Sequence, residues 1–167
     1  QRLRQEIMRG GVETVRLKGD AFLKSGNGFL SDVVRPLIVS AKDDEEKARN
    51  IYAYVRDNIT CTDHSSVYMD AGLKDVVKTK KGNVSELNLL LTAMLRYAGI
   101  EAQPVILSTT DNGFTYAPYP ILRRFNYVVC QVTVDNASYM LDASRQRLGF
   151  GKLTPDCYNG HARIVDE

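Results

Sequence analysis

The feature that most constrains this chain is a long apolar segment in its middle, residues 84–98. Asn83, followed three residues later by Glu86, has the pattern of a capping box, and Gly99 stands where a left-handed helix end is favoured. Between them, apolar side chains recur at every third or fourth position, as one face of a helix requires: Leu87, Leu90, Leu91, Met94, Leu95 and Ala98. The sequence therefore predicts a capped helix over 84–98 with one broad buried face.

A β-hairpin is predicted over residues 126–142, downstream of this helix. Asp135-Asn136 has the composition of a two-residue turn. The residues before the turn alternate between two sheet faces, with Val128, Cys130, Val132 and Val134 on one and Tyr127, Val129, Gln131 and Thr133 on the other. A two-residue turn places Tyr127 opposite Ser144. Asp142 is then its diagonal neighbour on the same face, roughly 7 Å away.

The remaining elements complete an α+β prediction. A helix over 43–59 is indicated by a capping box at Asp43 and Glu46 and by a buried stripe of Ala48, Ile51, Tyr52, Val55 and Ile59. A strand over 102–108 follows the central helix. Residues 1–40 are interpreted as a helical or irregular extension, with loops over 24–31 and 108–120. The central helix is expected to pack on an antiparallel sheet.

These segments, in this order over residues 40–160, resemble the transglutaminase-like superfamily, whose fold is related to papain-like cysteine proteases. Residues 82–107 resemble the region in which that family begins a buried helix with its nucleophilic Cys. Here that position carries Val84. The family's His falls on Tyr127, or on Asn126 if the alignment shifts by one, and its Asp falls on Asp142.

The resemblance implies a degenerate catalytic triad. A thiol at the start of a helix acts as a thiolate because the helix dipole lowers its pKa, whereas Val84 has no lone pair. A tyrosine cannot take a thiol proton near neutral pH as an imidazole does. The resemblance therefore implies a catalytically inactive member of a bacterial branch, in which the domain lies between others in a secreted or envelope protein.

Such a fold holds a cleft between the helix and the sheet, and aromatic and polar side chains suit a ligand site there. The residues expected to line or border the cleft are Ser85, Tyr116, Tyr119, Asn126, Tyr127 and Asp142. A peptide or a glycan is the expected ligand, and no cofactor is implied. The same tyrosines suit packing against a flanking domain of the same chain, and both interpretations stay open.

Two alternative interpretations involve the cysteines and histidines of the chain. An active cysteine hydrolase or acyl transferase would need a displaced thiol, with Cys61 near His64 or His161, or Cys157 near His161. The same four residues are of types that zinc accepts, although the two pairs lie far apart in the sequence. A surface position for both histidines, with Cys61 in or beside a strand, is the simpler interpretation.

The composition bears on the general class of protein, such as globular, nucleic-acid-binding, membrane or disulfide-rich. With 167 residues, 44% hydrophobic and 25% charged, the chain suits a single globular domain over 1–167. A net charge of +2 does not indicate a nucleic-acid partner, and no apolar run is long enough to span a bilayer. Three cysteines leave at least one unpaired, which disfavours a disulfide scaffold. The chain begins at Gln1 without a signal-peptide pattern, so we expect a piece of a longer protein.

Overall fold

The computed structural model describes residues 28–114 and 124–165. The helices in this part are α1 (Gly28–Ile38), α2 (Asp44–Asn58), α3 (Leu73–Thr79) and α4 (Val84–Tyr97). The strands are β1 (Thr60–Cys61), β2 (Lys81–Gly82), β3 (Glu101–Leu107), β4 (Tyr127–Val134), β5 (Ala137–Leu141) and β6 (Arg163–Ile164). Short 3-10 turns occur at Thr110–Asn112 and Pro155–Cys157. None of the described helices is long and apolar enough to cross a membrane.

Four antiparallel strands form the main sheet, in the order β5-β4-β3-β6, and β1 and β2 form a small parallel pair. Alternate residues of β3 and β4 point to opposite faces. Ile106, Val128 and Cys130 join the large core shared with the helices. The other face forms a second apolar cluster of Val84, Val105, Leu107, Tyr127, Val129 and Cys157. The predicted α+β fold, with the central helix packed on an antiparallel sheet, is confirmed.

The hairpin has the predicted register. Val134 pairs with Ala137, which leaves Asp135 and Asn136 as a two-residue turn. Their φ angles of 50° and 63° are both left-handed, as in a type I′ turn, whose twist matches that of the flanking strands. The register places Tyr127, Ser144 and Asp142 at one end of the hairpin.

The start of α4 is fixed by a complete capping box. The Asn83 side chain accepts the Glu86 N–H at 2.9 Å, and Glu86 Oε2 accepts the Asn83 N–H at 2.8 Å. Glu86 Oε1 also accepts the N–H groups of Asp70 and Ala71, at 2.7 and 2.6 Å. A Cβ on Gly82 would lie 2.9 Å from Glu86 Oε2, so any larger residue there would force this carboxylate to shift. The first turn of α4 is therefore tightly anchored.

Several expectations need correction. The loop expected over 24–31 is helical from Gly28, because Leu30 and Val34, one turn apart, are buried in the core. The capping box expected in α2 is half formed: Asp43 caps the helix, but Glu46 accepts the N–H of Lys42 rather than that of Asp43. The strand after α4 begins and ends one residue earlier than predicted.

Candidate functional site

Asp142 is the centre of a buried polar network. Its carboxylate is fully buried. Oδ2 accepts the Tyr127 hydroxyl at 2.7 Å. Oδ1 accepts the Ser144 hydroxyl at 2.7 Å, the Ser144 N–H at 3.0 Å and the Asn88 amide at 3.0 Å. A buried carboxylate is costly unless its oxygens are hydrogen-bonded, and the donors to this one come from β4, from α4 and from the residue Ser144 after β5.

Asn88 joins α4 to the hairpin. Its Nδ2 donates to Asp142 and, at 2.7 Å, to the Val128 carbonyl, while its Oδ1 accepts the Ala143 N–H at 2.9 Å. Asn88 was not among the residues predicted from the sequence. The available signal was a polar side chain inside an apolar stripe, one turn after Val84. Because the Asn88 amide is hydrogen-bonded to β4 and to the segment after β5, it fixes α4 relative to the Asp142 carboxylate.

Tyr127 is held as an uncharged hydrogen-bond donor. Burial, followed by the charge of Asp142 and the hydrogen bond to it, raises its pKa well above that of an ordinary tyrosine. Its hydroxyl also lies 3.0 Å from Ser144 Oγ and accepts Arg145 Nε at 3.3 Å. Arg145, a second residue that the sequence analysis missed, remains partly exposed and lies 3.8 Å from Asp156. The hydroxyl therefore bridges a carboxylate and a guanidinium.

Val84 has no exposed surface and belongs to the same apolar cluster as Tyr127. The structure thus brings all three triad-equivalent positions of the sequence analysis to one end of the sheet. The backbone N–H of Val84 donates to the Asp63 carbonyl at 2.8 Å. The first N–H groups of a helix have no intrahelical partner and carry its positive dipole, which suits binding of an oxyanion. At residue 84 that donor is already occupied by the chain itself.

The other expected binding residues are also engaged or buried. Asn126 accepts the Thr109 N–H at 2.9 Å and donates to Thr109 Oγ1 at 2.8 Å and to Ser65 Oγ at 3.4 Å. Ser85 is fully buried, and its hydroxyl has no hydrogen-bond partner within the described residues. Tyr116 and Tyr119 lie outside the described residues.

The three cysteines carry protonated thiols near neutral pH. Burial raises the pKa of Cys61 to about 11, that of Cys157 to about 11 and that of Cys130 to about 12. None is disulfide-bonded. Cys130 lies in the main core, on the face away from Tyr127, as expected.

No thiol–imidazole pair is formed by Cys61 and His64. Cys61 Sγ donates to the Asp63 carbonyl at 3.3 Å, and His64 Nδ1 has no partner among the residues that the structure describes. Cys61 lies in β1, as expected, but His64 is partly buried rather than a surface residue. Within ranges 28–114 and 124–165, no three His, Cys, Asp or Glu side chains are placed to hold a metal ion. The zinc arrangement considered from the sequence is therefore not assembled there.

The family model of the transglutaminase-like superfamily matches residues 31–142, and the chain belongs to this superfamily. A proposed protease from Parabacteroides distasonis has a similar structure, with a TM-score of 0.59 and 19% identity over 76% of this chain and 25% of that one. A proposed cysteine protease from Cytophaga hutchinsonii has a TM-score of 0.55 and 13% identity, over 83% of this chain and 48% of that one. A structure described as a TGase has a TM-score of 0.51 and 14% identity, over 78% of this chain and 35% of that one.

These likenesses establish the fold alone, because the identities are low. The chain spans between about a quarter and a half of the length of these solved structures. A search among curated proteins found no match.

Proposed function

We propose that this chain is a catalytically inactive transglutaminase-like domain that serves as a scaffolding or binding module of a longer secreted or envelope protein. The observation that carries the proposal is the geometry at the start of α4. The residue in the nucleophile's place is Val84, and its N–H is held by the Asp63 carbonyl at 2.8 Å. The residue in the imidazole's place is Tyr127, which donates a hydrogen bond to Asp142.

The chemistry of the remaining side chains supports an inactive site. A cysteine nucleophile needs a lowered pKa or an adjacent base, whereas burial raises the pKa of each thiol here. Ser85 is buried, and within the described residues its hydroxyl has no hydrogen-bond partner that could take its proton. The proposal therefore assigns the Asp142 network a structural role, in which it joins α4 to the hairpin.

The variant Val84→Cys/Tyr127→His tests whether these positions are those of a lost triad. In such a triad, Asp142 orients the imidazole, and the imidazole and the helix dipole stabilise the thiolate. We expect the introduced thiol to be alkylated at pH 7 about tenfold faster than in Val84→Cys alone, as a pKa lowered by about one unit implies. Site-resolved mass spectrometry after iodoacetamide treatment measures both rates.

The single variant is the matched control, because it has the same helix position without the imidazole. Equal alkylation rates in two folded variants would show that residues 84 and 127 are not a nucleophile and base pair. The proposal of a degenerate triad would then be withdrawn. Circular dichroism and the unfolding midpoint of each variant establish that both are folded.

Scaffolding is the role that this geometry favours over ligand binding, because the polar groups of Asp142, Tyr127 and Asn126 are satisfied within the chain. Arg145 is the residue that could contact a ligand, since its side chain is 34% exposed beside the Tyr127 hydroxyl. Thermal unfolding with panels of peptides and oligosaccharides separates the two roles. Saturable stabilisation that is lost in Arg145→Ala identifies a ligand site. Absence of any response leaves the scaffold.

A further inference from the structure

A buried ring nitrogen lies on the segment that is hydrogen-bonded to the start of α4. We name residues 62–65 the strap. Its other three residues are exposed, but His64 is partly buried, and its Nδ1 is inaccessible to solvent and has no hydrogen-bond partner within the described ranges. Buried polar atoms are nearly always hydrogen-bonded, so an orphaned ring nitrogen calls for a physical explanation.

Backbone hydrogen bonds hold the strap in place. The Thr62 N–H donates to the Gly82 carbonyl at 2.8 Å, and the Val84 N–H donates to the Asp63 carbonyl at 2.8 Å. The Asp63 side chain accepts the Ser65 N–H at 2.9 Å, which tightens the turn. Of these bonds, the one to Val84 joins the strap directly to the first turn of α4. Movement of the strap would release this N–H.

Charged groups in the strap itself and in two other parts of the chain act on His64. Burial has the largest effect and lowers its pKa, and the positive charge of Arg145 lowers it further. The carboxylates of Asp142, of Asp63 in the strap itself and of Asp156 in a 3-10 turn act in the opposite direction without cancelling these effects. The closed strap therefore favours the neutral imidazole.

We propose that the strap is an acid-sensitive lid, in which protonation of His64 favours an open arrangement with the ring in water and the Val84 N–H released. In the open strap the ring has an ordinary pKa of about 6.5, whereas in the closed strap its pKa is lower. Closure is thus fully favoured above about pH 6.5 and weakens as the pH falls below that value. The open state offers the helix start to the carbonyl group of an extended chain.

Amide hydrogen exchange tests the lid without a ligand. In 15N-labelled protein, we compare the protection of the Val84 amide at about pH 7.5 and about pH 5, after correction for the intrinsic exchange rate. The Leu87 amide, which bonds to the Asn83 carbonyl one turn further along, is the internal reference. From the higher to the lower pH, we expect the protection of the Val84 amide to fall several-fold relative to that of Leu87. The largest possible fall is about tenfold for each pH unit between the pKa values of His64 in the open and the closed strap.

Replacement of each histidine supplies the control. His64→Gln should abolish the pH dependence of the Val84 amide, whereas His161→Gln, at an exposed position, should retain it. A Val84 protection that is unchanged between the two pH values, or that falls equally in His64→Gln, overturns the proposal.

If His64→Gln does not fold, the wild-type protein alone still tests the lid. The midpoint of the Val84 protection must coincide with the NMR titration of the His64 ring, and different midpoints overturn the lid. Neither readout depends on whether the domain is catalytically inactive.

Discussion

At the scale of single residues, the contact between Tyr127 and Asp142 was predictable and its supporting partners were not. The alternation of β4 and the two-residue turn fix which side chains share a face, and they predict that these two residues meet. Asn88 reaches the Asp142 carboxylate from α4, and Arg145 reaches the Tyr127 hydroxyl from the turn after β5. Local periodicity does not encode such meetings, so both residues were missed.

Removal of the Tyr127 hydroxyl should destabilise the protein. Tyr127→Phe deprives the buried Asp142 Oδ2 of its donor, and a hydrogen bond to a charged group contributes about 1.5–3 kcal/mol. We expect the free energy of unfolding to fall by an amount in that range, measured by urea denaturation at pH 7. The control is Tyr158→Phe, at a position 69% exposed, which should change nothing measurable. Equal effects of the two replacements would contradict a stabilising role for the network.

At the scale of elements, both ends of α4 were readable from the sequence. Asn83, Glu86 and Gly99 carry cap patterns that need only local geometry, and the φ of +80° at Gly99 agrees with its expected role. The further bonds that Glu86 accepts from the N–H groups of Asp70 and Ala71 were not predictable, because the partners lie about fifteen residues earlier in the chain, before α3 and β2. The start of α1 was missed because its glycine-rich sequence resembles a loop, whereas Leu30 is buried in the core.

Neutralising the capping carboxylate should therefore cost more than a cap alone. In Glu86→Gln, one of the two side-chain oxygens becomes an NH2 group that faces a backbone N–H donor. At about 1–3 kcal/mol for each buried hydrogen bond lost, we expect about 2 kcal/mol or more of destabilisation by chemical denaturation. Glu45→Gln, which disrupts an exposed ion pair with Arg49, should cost well under 1 kcal/mol. A loss no larger than that control would contradict the anchoring role of Glu86.

At the scale of the whole molecule, the sequence predicted the α+β fold but not how the sheet is completed or covered. The long periodic segments gave α4, β3 and the hairpin. The two-residue strand β6 and the strap over α4 are too short to carry a periodic signal, and non-local contacts hold both. The proposed function also belongs to this scale, since it rests on three thiols whose pKa values are all raised by burial.

The most direct test is the rate at which Cys61, Cys130 and Cys157 each react with iodoacetamide at pH 7, resolved by mass spectrometry and compared with the unfolded chain. Because burial raises the pKa of each thiol, we expect each cysteine to react more slowly in the folded protein. A cysteine that reacts faster when folded than when unfolded would be an activated thiolate. That result would contradict the inactive domain and identify the nucleophile of an enzyme.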